Sequence, residues 1–162
     1  MTTSFCAGIL GTTGTADGAA GSATFDSPWS LARGYADTDG SYAIFAGSDS
    51  ASLRVVMQQC AQVATLVGVS SSAGFVNGAA SDARFGAHVT AAVYLAVGAS
   101  QRIFVTSATD HSVRVVHMQG AAPQTVGWIA GGSSSLDFGS TDGASCVPAC
   151  SRCIQFLQIF RE

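Results

Sequence analysis

Lysine is missing from the chain altogether, and glutamate occurs only as the final residue, Glu162. These two residues ordinarily fill the exposed faces of helices, so their loss from a chain rich in Gly, Ser, Thr, Asp, Val and Phe argues against a helical protein and for strands joined by turns. Charge of either sign is scarce: 10% of residues are charged, against roughly 25% in an ordinary soluble domain. All seven basic residues are Arg, nine of the ten acids are Asp, and the net charge is −3 with a pI near 5.4. No window gathers the arginines, so the basic footprint that nucleic acid requires is missing and no nucleic-acid partner is expected. No apolar run reaches the 18 or so residues of a membrane span, and no membrane association is expected. The N-terminal MTTSFCAGILG has no positive region, and Gly8 and Gly11 break its apolar run, so no signal peptide is visible. The compartment stays open on this reading, with a soluble intracellular chain as the default. The five cysteines, Cys6, Cys60, Cys146, Cys150 and Cys153, are odd in number and unevenly spread, and do not read as a disulfide framework.

What is present is a core-forming composition, with 48% hydrophobic residues and a mean hydropathy of +0.35, organised as a repeat. Residues 41–68, SYAIFAGSDSASLRVVMQQCAQVATLVG, return at 101–132, QRIFVTSATDHSVRVVHMQGAAPQTVGWIAGG. Ser52, Arg54, Val55 and Val56 match Ser112, Arg114, Val115 and Val116, each 60 positions on. A repeat of this length decides the architecture ahead of local propensity. The beat extends further. Three apolar segments close on Gly8, Gly68 and Gly131, and each leads to a Gly/Ser/Thr-rich loop ending in a turn dipeptide: Asp17-Gly18, Asn77-Gly78 or Asp142-Gly143. Next come a small residue and a Phe, Ala23 with Phe25 and Ala83 with Phe85, whose spacing places both side chains on one sheet face. Strands follow at Trp29–Ala32, Tyr42–Ala46, Leu53–Met57 and Gln62–Val67, with turns at Asp37–Gly40 and between the later strands. The second set is Val89–Val97, Ile103–Val105, Val113–Met118 and Thr125–Ala130. Four strands per unit make a blade, a sheet that buries its faces only against neighbouring sheets.

The order of turn-Asp-Gly, small residue, Phe, apolar strand, Leu53-Arg54 or Val113-Arg114, and T-x-x-x-G resembles the NHL repeat of six-bladed β-propellers, over about Phe5 to Gly143. The resemblance implies an all-β fold: a partial NHL-type propeller of about two four-stranded antiparallel blades plus edge strands, with units near 9–68 and 69–132 inside a 1–143 segment. The Asp and Asn usual after the central strand are Gly47 and Ser50 in one unit and Ser107 and Asp110 in the other. Pro28 of the first strand has no counterpart at Ala87 or His88, and each unit exceeds the 40 to 45 residues typical of propeller repeats. Beyond Gly143 the pattern stops, and residues 144–162 form a divergent Cys-rich tail. Two units do not close a ring, so the chain reads as a fragment or divergent member of a longer propeller, ahead of one that completes the ring by self-association.

Few residues offer chemistry. Cys146, Cys150 and Cys153 have metal-ligand spacing, but a zinc site wants a fourth ligand that Cys6, Cys60 or a His would have to supply, and an irregular thiol-bearing tail is the favoured reading. No cofactor is expected. Asp110 and His111 are adjacent in an inter-strand loop and could act as acid and base or bind a metal, although the first unit has Ser50 and Ala51 there. Arg54 and Arg114 recur in register. They are candidates for an anion-binding ring, or, on the favoured reading, brackets that tie strands through carbonyls or a carboxylate. Phe25, Phe45, Phe85 and Phe104 are expected in the core between blades. The expected function is a non-enzymatic binding or assembly module with a protein or peptide partner, or with copies of itself. The alternative is a propeller-type metal-dependent hydrolase or lyase.

Overall fold

In the computed structural model of the chain, residues 5–36, 42–47 and 50–131 are described. The fold is all-β, as the composition predicts, and consists of two antiparallel five-stranded sheets. The first contains β1 (Gly18–Ala19), β2 (Ser30–Ala36), β3 (Tyr42–Gly47), β4 (Ser52–Met57) and β5 (Gln62–Gly68), in the order β1-β5-β4-β3-β2. The second repeats that order with β6 (Gly78–Ala79), β7 (Val89–Val97), β8 (Ser100–Ser107), β9 (Ser112–Gln119) and β10 (Ala122–Gly131), as β6-β10-β9-β8-β7. Two curled sheets of this kind are consistent with a partial propeller-like fold.

Four strands per sheet are those expected from the apolar runs. The fifth was not expected: the Asp17-Gly18 and Asn77-Gly78 turns place Gly18-Ala19 and Gly78-Ala79 against the outer strands β5 and β10. Gly18 and Gly78 have φ of +137° and +125°, which lets the loop turn onto the sheet at that point. Ala23 and Phe25 lie in this loop and not on a strand, since only an isolated bridge, Thr13 to Phe25, forms there.

The repeat is kept in three dimensions, with measured slips. Arg54 pairs with Ala46 and Thr65, and Arg114 with Val105 and Trp128, so the offset of 60 at the arginine becomes 59 on the strand before and 63 on the strand after. Leu31 pairs with Ala46 and Ala92 with Val105, an offset of 61 on the first strand. Bulges accompany the slips on the first and last strands, and the slip to 59 comes from a longer β8–β9 hairpin, so equivalent residues still face the same way.

Each sheet therefore has a front face, carrying the arginine, and a back face. The back of the first sheet packs on the front of the second, with β2 against β7 as the main contact. Ala43, Phe45, Leu53, Val55 and Val67 of the first sheet form one core with Ala92, Ile103, Val105, Val116, Met118 and Val126 of the second, together with Phe85 from the loop. Tyr35, Phe45 and Tyr94 meet across the junction with centroids 5.9 to 6.3 Å apart. Of the four phenylalanines expected between the sheets, Phe45 and Phe85 are there. Phe25 instead joins a small front-face cluster with Ala23, Val56 and Val63, and Phe104 lies half-buried on the back of the second sheet, where no further sheet covers it among the described residues.

Gly47 sets the closeness of the junction, because a Cβ there would stand 2.3 Å from the Val89 carbonyl oxygen of the other sheet. Gly47→Ala is expected to destabilise the chain by about 2 to 3 kcal/mol in urea unfolding, as overpacking against rigid backbone does. Gly21→Ala, where the added carbon meets nothing within 4 Å, is expected to be near neutral.

Candidate functional site

Arg54 and Arg114 are the third residues of β4 and β9, flanked by Leu53 and Val55 and by Val113 and Val115, and both side chains are 0% exposed. A buried guanidinium must be met by oxygens, and here the chain supplies them. Arg54 donates from Nη1 to the Thr24 carbonyl (3.1 Å) and from Nη2 to the Ala16 carbonyl (3.0 Å) and Asp17 Oδ1 (2.7 Å). Asp17 in turn accepts from the Thr65 N–H at 2.9 Å and the Thr65 hydroxyl at 3.2 Å. Arg114 repeats the arrangement, donating to the carbonyls of Arg84 and Val76 and to Asn77 Oδ1 at 2.7 Å. The rings of Phe25, and of Phe75 and Phe85, lie 4.6 to 5.2 Å from the respective guanidinium carbons. Each arginine thus fastens the loop preceding its own sheet onto that sheet's front face. The planar fork reaches two carbonyls and a side-chain oxygen at once, a geometry an ammonium cannot reproduce.

The two clamps differ in the charge of their side-chain acceptor. Asp17 forms an ion pair with Arg54, whereas Asn77 offers Arg114 only an amide oxygen. Burial accordingly lowers the Arg114 pKa from its ordinary value, opposed by the nearby carboxylate of Asp110.

Asp110 and His111 diverge although adjacent. Asp110 is buried, and its Oδ2 accepts the Gly86 N–H at 3.2 Å, which ties the β8–β9 turn to the loop before β7. His111 is exposed at φ +49°, in the left-handed position that Ala51 takes in the first unit at +60°. Ala51 is covered by the next unit, to which its N–H donates at the Ala87 carbonyl, 3.4 Å away. His111 stands at the corresponding place in the second sheet, which no further sheet covers among the described residues. No group of three or more His, Cys, Asp or Glu suited to a metal occurs among the described residues, and Cys146, Cys150 and Cys153 lie outside them.

One feature corrects the sequence reading. Cys6 and Cys60 form a disulfide, their Cα atoms 5.2 Å apart, bridging 54 positions. Five unevenly spaced cysteines concealed this pair because the partners meet only after the N-terminal segment lies across the front of the first sheet beside the β4–β5 turn. Closing a loop of that length stabilises by about 4 kcal/mol in the chain-entropy account. A bond of this kind persists in oxidising compartments and is reduced in the cytosol, which bears against the intracellular default.

The remaining surface of note is apolar. On the back of the second sheet, Val93 and Val97 are exposed, Leu95, Phe104 and Val113 are half-buried, and Val115 lies between them. Apart from Val97, these positions match Ala32, Gly34, Phe45, Leu53 and Val55, back-face residues that the second sheet covers in the middle of the molecule, while Arg102 and His117 on the same face stand where the first sheet has Ala43 and Met57. On the front of the first sheet, Leu31 is 74% exposed, although its counterpart Ala92 is buried.

Two measurements probe this description. Asn77→Asp is expected to stabilise by about 1 kcal/mol by giving Arg114 a carboxylate, and Arg54→Lys to cost about 2 to 3 kcal/mol by stranding buried carbonyls, both read by urea unfolding. His117 pairs across the strands with Arg102, and burial, then that positive charge, lowers its pKa from the ordinary value of 6.5. The unfolded chain then binds the proton more readily, so stability is fully kept above pH 6.5 and declines as pH falls through that value. His117→Gln is expected to flatten the pH 5 to 7 limb of the stability curve. No protein-family model matches this sequence, and no curated protein matches it.

Proposed function

We propose that the chain is a non-enzymatic assembly module of propeller type, which works by offering a sheet face to a protein partner. The observation that carries this reading is the apolar back of the second sheet. It presents Leu95, Phe104, Val113 and Val115 beside Arg102 and His117, and Val93, 61% exposed, stands on its edge strand. An exposed sheet face that is largely apolar with a few polar side chains is a surface for association. The arginines support the same reading, since their guanidinium groups hold the loops to the sheets and keep each face in shape. His111 is exposed in the β8–β9 turn, where it would border a docked partner at its rim, while buried Asp110 holds that turn to the loop before β7.

Photocrosslinking tests the proposal. A photoreactive residue at position 93 of the oxidised chain is expected to give protein adducts in the source cells, and Phe104→Asp to reduce them at least tenfold. Absence of adducts, in a chain that carries stoichiometric divalent metal and hydrolyses a lactone or ester, would establish the enzyme reading in its place.

A further inference from the structure

Outside the two clamps, the second sheet carries a pair of basic side chains with no acid to meet them. Arg102 on β8 and His117 on β9 are direct cross-strand partners on the back face, with Leu95 next to Arg102 and Thr125 next to His117. His117 is exposed and Arg102 half-buried, its Nε enclosed with no acceptor. Neither side chain forms an ion pair or a hydrogen bond with another described residue. No other titratable group lies on this face among the described residues, and His111 is in the turn at the far end of the two strands. Once His117 is protonated, two positive charges stand opposite each other, which weakens a sheet. Burial and then the Arg102 charge lower the His117 pKa, with no carboxylate opposing them in the way Asp110 does for Arg114. The first sheet has Ala43 and Met57 in the same two places, and there the second sheet covers them. The contact made inside the chain thus puts no charge at this spot, whereas the second sheet puts two basic groups there.

We propose that the protein docked on this face brings an aspartate or glutamate side chain to Arg102 and His117, with apolar side chains around it against Val93 and Leu95. This inference gives the partner's chemistry within the assembly reading above and rests on it. One carboxylate answers both groups: it accepts from the Arg102 guanidinium and favours the protonated form of the imidazole beside it. The remainder of the face is largely apolar and the chain's net charge is −3, so a polyanion such as nucleic acid meets neither a row of cations nor an attractive field. Docking is thereby coupled to protons. A carboxylate at this place raises the His117 pKa, so the complex keeps a proton that the free chain releases, and association tightens as pH falls from 7.5 towards 5.5.

The absence of lysine makes the contact directly testable in the full chain. Arg102→Lys keeps the positive charge and supplies the chain with its first side-chain amine. A water-soluble carbodiimide condenses that amine with a carboxylate in contact to form an amide, itself taking up the water lost to become a urea. In extracts of the source cells, position 102 is expected to be joined to an Asp or Glu of the same protein that the photoreactive residue at position 93 captures, as read by mass spectrometry of the joined peptides. Arg102→Glu, which leaves His117 with a carboxylate of its own, is expected to keep the strand circular-dichroism signal and to lower the position 93 adducts about tenfold. The yield of those adducts is expected to rise about threefold between pH 7.5 and 5.5, and His117→Gln to abolish the rise. Position 93 adducts that Arg102→Glu leaves unchanged, or position 102 joined only to an acid of the chain itself, would overturn the proposal while leaving the assembly reading in place. Loss of position 93 adducts in the unsubstituted background would remove that reading and this one with it.

Discussion

The molecule depends on the burial of one sheet's back against the next sheet's front. Neither sheet could stand alone, since each exposes two apolar faces and a small sheet loses backbone freedom that only buried area can offset. Gly47 brings the backbones close, Phe45 and Phe85 fill the space between them, and the Tyr35, Phe45 and Tyr94 rings knit the inner strands. The buried arginines are subordinate to this junction but needed by it. Without Arg114 the loop carrying Phe85 would keep only its β6–β10 pairing and the Gly86–Asp110 bond to the second sheet, and Phe85 would lose the guanidinium beside its ring.

Much of the fold is legible in the sequence because strand formation here is a matter of alternation and punctuation. Val89–Val97 is read to the residue, and the other principal strands to within a few positions, since apolar runs end at Gly, Ser and Asp whose conformational preferences leave little choice. Arg54 and Arg114 announce themselves by recurring at one offset. The two-residue strands β1 and β6 are not legible, because two residues carry no period and their pairing is set by where the arginine clamp pulls the loop. The slips to 61 and 63 are hidden for a related reason: bulges change residue spacing without changing which face a side chain shares.

The candidate site was legible only in part. Asp110 and His111 look like a pair in the sequence, yet a left-handed residue at position 111 sends one side chain inward and leaves the other in solvent. The Cys6–Cys60 bond could have been suspected from the repeat itself. Cys6 stands where Leu66 stands in the next unit and Cys60 where Gly120 does, so both cysteines are departures confined to the end unit, whose front has no sheet ahead of it among the described residues. The apolar back face was invisible because Val93 and Leu95 read as core until the described residues leave them uncovered.

The sulfur bridge also sets how the molecule would carry a mechanical load. A pull applied through the first few residues would pass from Cys6 into Cys60, at the tip of a hairpin whose three successive residues Gln58, Gln59 and Cys60 all have left-handed φ. That conformation costs roughly 1 kcal/mol or more per residue. Tension would thus be delivered to a turn whose backbone is already held in a costly geometry, and the β4–β5 tip would serve as an extensible link between the anchored segment and the ladder behind it.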